Sequence, residues 1–199
     1  GRRVYVRRIN VSGNTRTRDE VVRREFRQLE SSWYDGERIK LSRERAERLG
    51  YFKEVTVENT EVAGTADQVD LTVNVTEKPT GNLMLGMSFS SAERLALSAS
   101  VKQDNVFGSG NYLGLEVNTS RTGRSLVFST VDPYFTVDGI SRGIDLYYRT
   151  SRPYNSLGDQ YQISNPGGAI RFGVPFTEYD TVFFGAGLEQ TNIGATAGI

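Results

Sequence analysis

Between Gly81 and Leu188 the chain repeats one pattern seven times: about ten residues in which every second position is apolar, with Gly, Ser, Thr, Asn or a charged residue between. A period of two puts alternate side chains on opposite faces of an extended strand. On the first face stand Leu83, Leu85, Met87 and Phe89, then Leu95, Leu97, Ala99 and Val101, then Leu113, Leu115 and Val117. Later segments continue it with Leu126 and Phe128, with Ile144, Leu146 and Tyr148, with Ile170, Phe172 and Val174, and with Val182, Phe184, Ala186 and Leu188. The second face holds Gly86, Ser88, Ser98, Lys102, Glu116, Asn118, Asp145, Arg149, Arg171 and Glu189. One such segment describes a half-buried strand of a soluble sandwich equally well. Seven in succession, with glycine and charge on the second face, predict antiparallel strands of a transmembrane β-barrel.

Ahead of Gly81 the texture is that of a small α+β domain. A strand over 4–11 runs into a Gly/Asn turn at Val11-Ser12-Gly13-Asn14. Thr17-Arg18-Asp19-Glu20 has the spacing of a capping box, and the helix it predicts places Val22, Phe26 and Leu29 on one face. Asp35 is placed to cap a second helix presenting Ile39, Ala46 and Leu49, with Gly50 where a left-handed terminal residue is wanted. Strands follow near 53–60 and 69–76, the latter alternating Val69, Leu71, Val73 and Val75 with polar residues. The predicted order is β-α-α-β-β. Pro and Gly interrupt the chain at Glu77-Lys78-Pro79-Thr80-Gly81, which sets a domain over 1–78, a linker over 79–81 and barrel strands over 82–199.

Composition narrows the chemistry. No run of eighteen apolar residues occurs, so no transmembrane helix is expected. Cys and His are both absent, which removes disulfides, thiolate ligands and the commonest general base. The net charge of zero hides an asymmetry, since residues 1–50 hold 14 Lys and Arg against 8 Asp and Glu. Those arginines alternate with acids along helical faces, as on a solvated surface, and nucleic acid is not the expected partner. Asp132, Asp138, Glu178 and Asp180 match no calcium loop and read as turn caps. Gly108-Ser109-Gly110 opens a strand rather than a helix, so phosphate binding is not expected either. No nucleophile stands with a base; the expectation is no enzyme, no cofactor and no metal.

Several motifs go beyond alternation. Gly13-Asn14 after the first strand, Leu49-Gly50-Tyr51-Phe52 at the end of the second helix and Asp67-Gln68-Val69-Asp70 before the last strand resemble a POTRA domain. Gln103-Asp104-Asn105-Val106-Phe107-Gly108-Ser109-Gly110, Asp132-Pro133-Tyr134-Phe135-Thr136-Val137-Asp138-Gly139 and Gly173-Val174-Pro175-Phe176-Thr177-Glu178-Tyr179 are similar to the periplasmic turns of the BamA family of outer-membrane assembly factors. The resemblance implies the last POTRA domain, in the periplasm, and roughly the first seven of about sixteen barrel strands in a bacterial outer membrane. Residues 103–111, 132–140 and 175–180 then become periplasmic turns, and 90–94, 120–124 and 150–167 external loops. Tyr112, Tyr134, Phe135, Phe176 and Tyr179 fall where an interfacial aromatic girdle belongs.

The function implied by this resemblance is folding and insertion of β-barrel proteins through a lateral seam at the first barrel strand. Asn82, Leu83, Met84, Leu85, Gly86, Met87, Ser88, Phe89 and Ser90 would pair with the substrate strand, mainly through backbone. The implied partners are outer-membrane lipoproteins of the assembly complex, BamD-like and others, together with nascent β-barrel substrates and the lipid bilayer. Glu30 marks the implied lipoprotein-docking region. Alternatives are a related POTRA–barrel transporter, either a TamA-like assembly factor or a two-partner secretion pore, and a passive porin-like barrel.

Overall fold

The structure is a computed structural model and describes residues 2–152 and 161–195. Two compact units result, one holding the residues up to Thr80 together with Asn105–Gly110, the other Gly81–Asp104 and the chain from Asn111 onward.

The first unit has the β-α-α-β-β order. Strands β1 (Tyr5–Ser12), β2 (Phe52–Glu61) and β3 (Gln68–Glu77) form a sheet of order β1-β3-β2, with β3 parallel to β1 and antiparallel to β2. The helices α1 (Asp19–Arg23) and α2 (Gly36–Arg48) precede β2. The alternate residues Leu71, Val73 and Val75 of central β3 are buried with Val6, Ile9, Val21, Val22, Phe26, Ala46 and Val55 as the core. Gly13 turns at φ +86°, where a Cβ would collide with the Val75 carbonyl oxygen, so only glycine fits. Asp35 caps α2 as expected, accepting from the Glu37 and Arg38 amides at 3.0 and 3.4 Å.

The first helix departs from expectation. It spans five residues, and Leu29, expected on its buried face, is 61% exposed. Gln28 takes the interior place instead: its Nε2 donates to Ser32 Oγ and the Trp33 carbonyl, both at 2.9 Å, while its Oε1 accepts the Asp35 amide at 2.9 Å. Ser42 Oγ, from α2, accepts the Arg27 amide at 2.7 Å. Groups that a longer helix would have satisfied are paired instead within the loop 28–35 and with Ser42 of α2, so the helix ends early. Thr17 does not cap α1 either. The flanking residue is Arg18, which makes no side-chain cap. Residues 30–34 run along β1, with Val6 donating to the Ser32 carbonyl at 2.9 Å and Ser31 and Tyr34 donating to Val6 and Val4 at 2.7 Å. That contact covers an otherwise open sheet edge.

The second unit is the predicted meander. Strands β4 (Gly81–Ser90), β5 (Arg94–Gln103), β6 (Tyr112–Thr119), β7 (Gly123–Asp132), β8 (Ser141–Ser151), β9 (Tyr161–Pro175) and β10 (Thr181–Glu189) pair in sequence order, all antiparallel. A short β11 (Asn192–Ala195) pairs with the start of β9, after a break where Gln190 donates to the Pro166 carbonyl at 2.9 Å. The face read as apolar remains exposed from Leu83 through Leu97, Leu115, Leu126, Leu146 and Ile170 to Phe184 and Leu188. An unbroken apolar face across seven strands is incompatible with water and matches the lipid face of a barrel.

Two local expectations change. Asn165 and Pro166, read as external loop, lie within β9 and opposite Arg149 and Tyr148 of β8. Pro153, Tyr154, Asn155 and Gly158 of that expected loop lie outside the described residues. Tyr112, expected in the girdle, shares the inner face with Gly114, where a Cβ would stand 2.6 Å from its hydroxyl. The ring occupies the space that the glycine leaves.

Candidate functional site

Strand β4 ends the sheet order, paired with β5 from Gly81–Gln103 to Ser90–Arg94. Every one of its residues is exposed, with Leu85, Met87 and Phe89 all near three-quarters. On its inner face stand Asn82, Met84, Gly86, Ser88 and Ser90, facing Lys102, Ser100, Ser98, Ala96 and Arg94 on β5, and the middle of the face, from Gly86 to Ser88, holds only small residues. Gly86 sits opposite Ser98, whose hydroxyl fills the place of the missing Cβ. Small side chains contribute little cross-strand interaction, so the ladder rests largely on backbone hydrogen bonds. β10 lies at the other end of the order.

The inner face of β7 to β10 is furnished differently. Asp145 on β8 accepts from Ser129 Oγ at 2.7 Å and pairs with Arg171 Nε at 3.0 Å. The Arg171 side chain lies over both Gly143 and Gly185. Tyr147 covers its cross-strand partner Gly167 and donates to Glu189 Oε2 at 2.8 Å, with the Arg149 guanidinium 4.8 Å from its ring. Phe183 covers its own partner, Gly173. Large residues seated over glycines of the neighbouring strand interlock three strands across their face.

A feature that sequence reasoning missed is the role of residues 105–110. They join β5 to β6 and were expected as a barrel turn, yet they pack as part of the first unit. Asn105 is 8% exposed and left-handed, with φ +55°. Its Nδ2 donates to Thr17 Oγ1 at 2.8 Å, and its Oδ1 accepts the Gly110 amide at 2.8 Å. The Gly108 carbonyl accepts from the Arg18 amide at 2.9 Å, and the Gly110 carbonyl from the Tyr51 hydroxyl at 3.0 Å. At Gly108, φ +73°, a Cβ would collide with the Arg16 carbonyl oxygen. Thr17 is thus spent on a partner 88 residues away rather than on capping α1. The one local signal was a Gly-rich turn preceded by Asn, a residue tolerant of the left-handed region.

Glu77, the last residue of β3, holds the adjoining loop. Its carboxylate accepts the Thr17 amide at 2.7 Å, the Arg16 amide at 3.0 Å and the Thr15 hydroxyl at 2.9 Å. Partial burial pushes this carboxyl up, but the hydrogen bonds from Thr17, Thr15 and Arg16 outweigh it and leave it below the ordinary glutamate value.

Glu30 is engaged inside its own domain. Its Oε1 accepts the Ile9 amide at 2.9 Å and lies 3.4 Å from Arg23 Nη1, while the side chain remains 48% exposed. It therefore helps cover β1 and presents part of its carboxylate outward.

Comparisons with known proteins place these features in a class. Residues 4–78 match the POTRA family model, described as a surface antigen variable number repeat, and residues 105–198 match the Omp85 superfamily domain. The chain belongs to the POTRA-bearing outer-membrane proteins of the Omp85 superfamily, with its strands in the bacterial outer membrane and its POTRA domain in the periplasm. Within that class it is similar to the outer membrane protein assembly factor BamA of Neisseria meningitidis serogroup B, 44% identical over 97% of this chain and 24% of that protein. It also superposes on the crystal structure of BamA from Haemophilus ducreyi lacking POTRA domains 1–3, with a TM-score of 0.81 and 32% identity over 98% of this chain and 37% of that one. CdiB from Acinetobacter baumannii shares the fold alone, with a TM-score of 0.69 at 12% identity over 98% of this chain and 39% of that one. The chain spans about a quarter of the length of the BamA relative.

Proposed function

We propose that this chain is part of an assembly factor that folds β-barrel proteins and inserts them into the outer membrane, with a lateral seam along residues 82–90. The observation that carries the proposal is the pairing of β4 with β5, where Gly86, Ser88 and Ser98 meet with little side-chain interaction and the ladder rests largely on backbone hydrogen bonds. Backbone N–H and C=O groups in lipid require partners, so an incoming strand gains by adding to an edge that has them to offer. Similarity to BamA supplies the substrate class, β-barrel precursors. No chemical step is needed, because pairing and burial drive the transfer.

The test uses single substitutions in the full-length protein. Leu85→Pro or Met87→Pro removes a ladder donor and should abolish assembly of barrel substrates, whereas Leu85→Val should leave it near normal. Equal tolerance of proline and valine in a depletion–complementation assay would refute the seam.

We further propose that the exposed side of Glu30 docks an outer-membrane lipoprotein of the BamD-like class, as the resemblance implies. Glu30 also supports Ile9, so two variants are needed. Glu30→Gln keeps an acceptor for the Ile9 amide but loses the charge, and Glu30→Lys reverses it. Both should lower lipoprotein co-purification, lysine more strongly. Wild-type yield with lysine would end the proposal.

A further inference from the structure

The chain leaves the first unit twice and returns to it once. The chain leaves it at Thr80, returns at Asn105 and leaves again at Gly110. The hairpin β4–β5, residues 81–104, is therefore an excursion that starts and finishes in one body. Its base is closed as well, since Gly81 pairs with Gln103.

This matters because β4 has little else to specify its register. The inner face of β4, with Asn82, Gly86, Ser88 and Ser90 around a single Met84, offers few side-chain contacts to resist a slip, and a slip of one residue turns every side chain to the wrong face. A hairpin turn needs only two to five residues. The segment 105–110 is built instead with two non-glycine residues in the left-handed region, Asn105 and Phe107, and with buried hydrogen bonds to residues 17, 18 and 51. Such a turn is over-determined for closing a sheet and suited to holding one end of it in place.

We propose that Asn105, Gly108, Gly110 and Tyr51 are positioning residues for the seam: they clamp the base of the β4–β5 hairpin into the POTRA domain, and thereby set the register in which residues 82–90 are offered to a substrate strand. This inference rests on the seam reading above. It adds that the chain on either side of the hairpin, at Thr80 and at Asn105, belongs to the first unit.

The experiment uses the full-length protein in its membrane with a photoreactive residue at Leu85, and three clamp variants. Tyr51→Phe removes the hydroxyl that donates to Gly110, Asn105→Ala removes the buried amide, and Gly108→Val forces a collision with the Arg16 carbonyl. Substrate crosslinks are counted per folded molecule, with folding read by heat-modifiability, and hydrogen exchange is followed at the amides of residues 16–18. Tyr51→Phe should fold normally and lower crosslinking about fivefold, the equilibrium weight of one buried hydrogen bond. Asn105→Ala should lower it further, and exchange at 16–18 should rise in both. Gly108→Val should abolish it in whatever fraction folds. Faster exchange with crosslinking at the wild-type level would overturn the clamp and leave the seam standing. Unchanged exchange in all three variants would overturn it too. Absence of crosslinks from the wild type would instead overturn the seam.

Discussion

The hairpin β4–β5 and the block β8–β10 belong to one sheet and share one apolar outer face, but they are held by opposite means. The block is fastened across its inner face, with Arg171 over Gly143 and Gly185, Tyr147 over Gly167 and Phe183 over Gly173. The hairpin seats no large residue over a glycine of its inner face, where Gly86 meets only the Ser98 hydroxyl, and its base runs into the turn 105–110 of the first unit. Fastening across the face specifies register residue by residue and makes strand exchange costly. Fastening at one end specifies register while leaving the length of the strand free to separate or pair. The proposed seam would draw on both designs, one side of the sheet staying closed while the other exchanges partners.

The largest effect that separates them is overpacking of a covered glycine. Gly167→Val places branched carbons against the Tyr147 ring, which is itself tied to Glu189. That should cost about 1–3 kcal/mol, the range for overpacking a filled site. At Gly86 the obstacle is the Ser98 hydroxyl, which can rotate away, so Gly86→Val should cost less than about 1 kcal/mol and adds a β-branched residue that strands accept. Urea unfolding of the refolded barrel in detergent, read by heat-modifiability, measures both. Equal destabilisation would erase the distinction between the block and the hairpin.

The two regions also differed in how far they could be read from sequence. Strand parity was legible throughout because a period of two is a local property, and the seven segments from β4 to β10 follow it. The small middle of the inner face of β4 was equally legible, since Gly86 and Ser88 announce it. The fastenings were not. Nothing near Gly167 says that Tyr147 will be its cross-strand partner, because that depends on register. Nothing near Thr17 says that its hydroxyl will serve Asn105 instead of α1. The shortness of α1 was hidden in the same way, in the Ser42 hydroxyl of α2 that takes the Arg27 amide. The candidate site was visible as a strand, and its support was hidden because support is tertiary.

The smallest effect concerns the carboxylate that steadies the clamp from within the first unit. Glu77 has its folded pKa below its unfolded one, because hydrogen bonds from Thr17, Thr15 and Arg16 favour the charged form more than partial burial disfavours it. A depressed carboxyl contributes stability that is complete above its unfolded pKa and is lost as the pH falls through the folded value. At pH 7 the contribution should be present in full; in acid, below the ordinary glutamate range, it should vanish. Glu77→Gln keeps an acceptor but no charge, and for a partly exposed group the cost at neutral pH should stay under about 1 kcal/mol. Amide exchange at Arg16 and Thr17 reports it directly, since both donate to this carboxylate. Exchange should be faster in the variant at pH 7, and the two proteins should converge once the wild-type carboxyl is protonated. A difference that persists undiminished in acid would mean that the loop is held by its shape and not by the charge, and the clamp beside it would then owe nothing to Glu77.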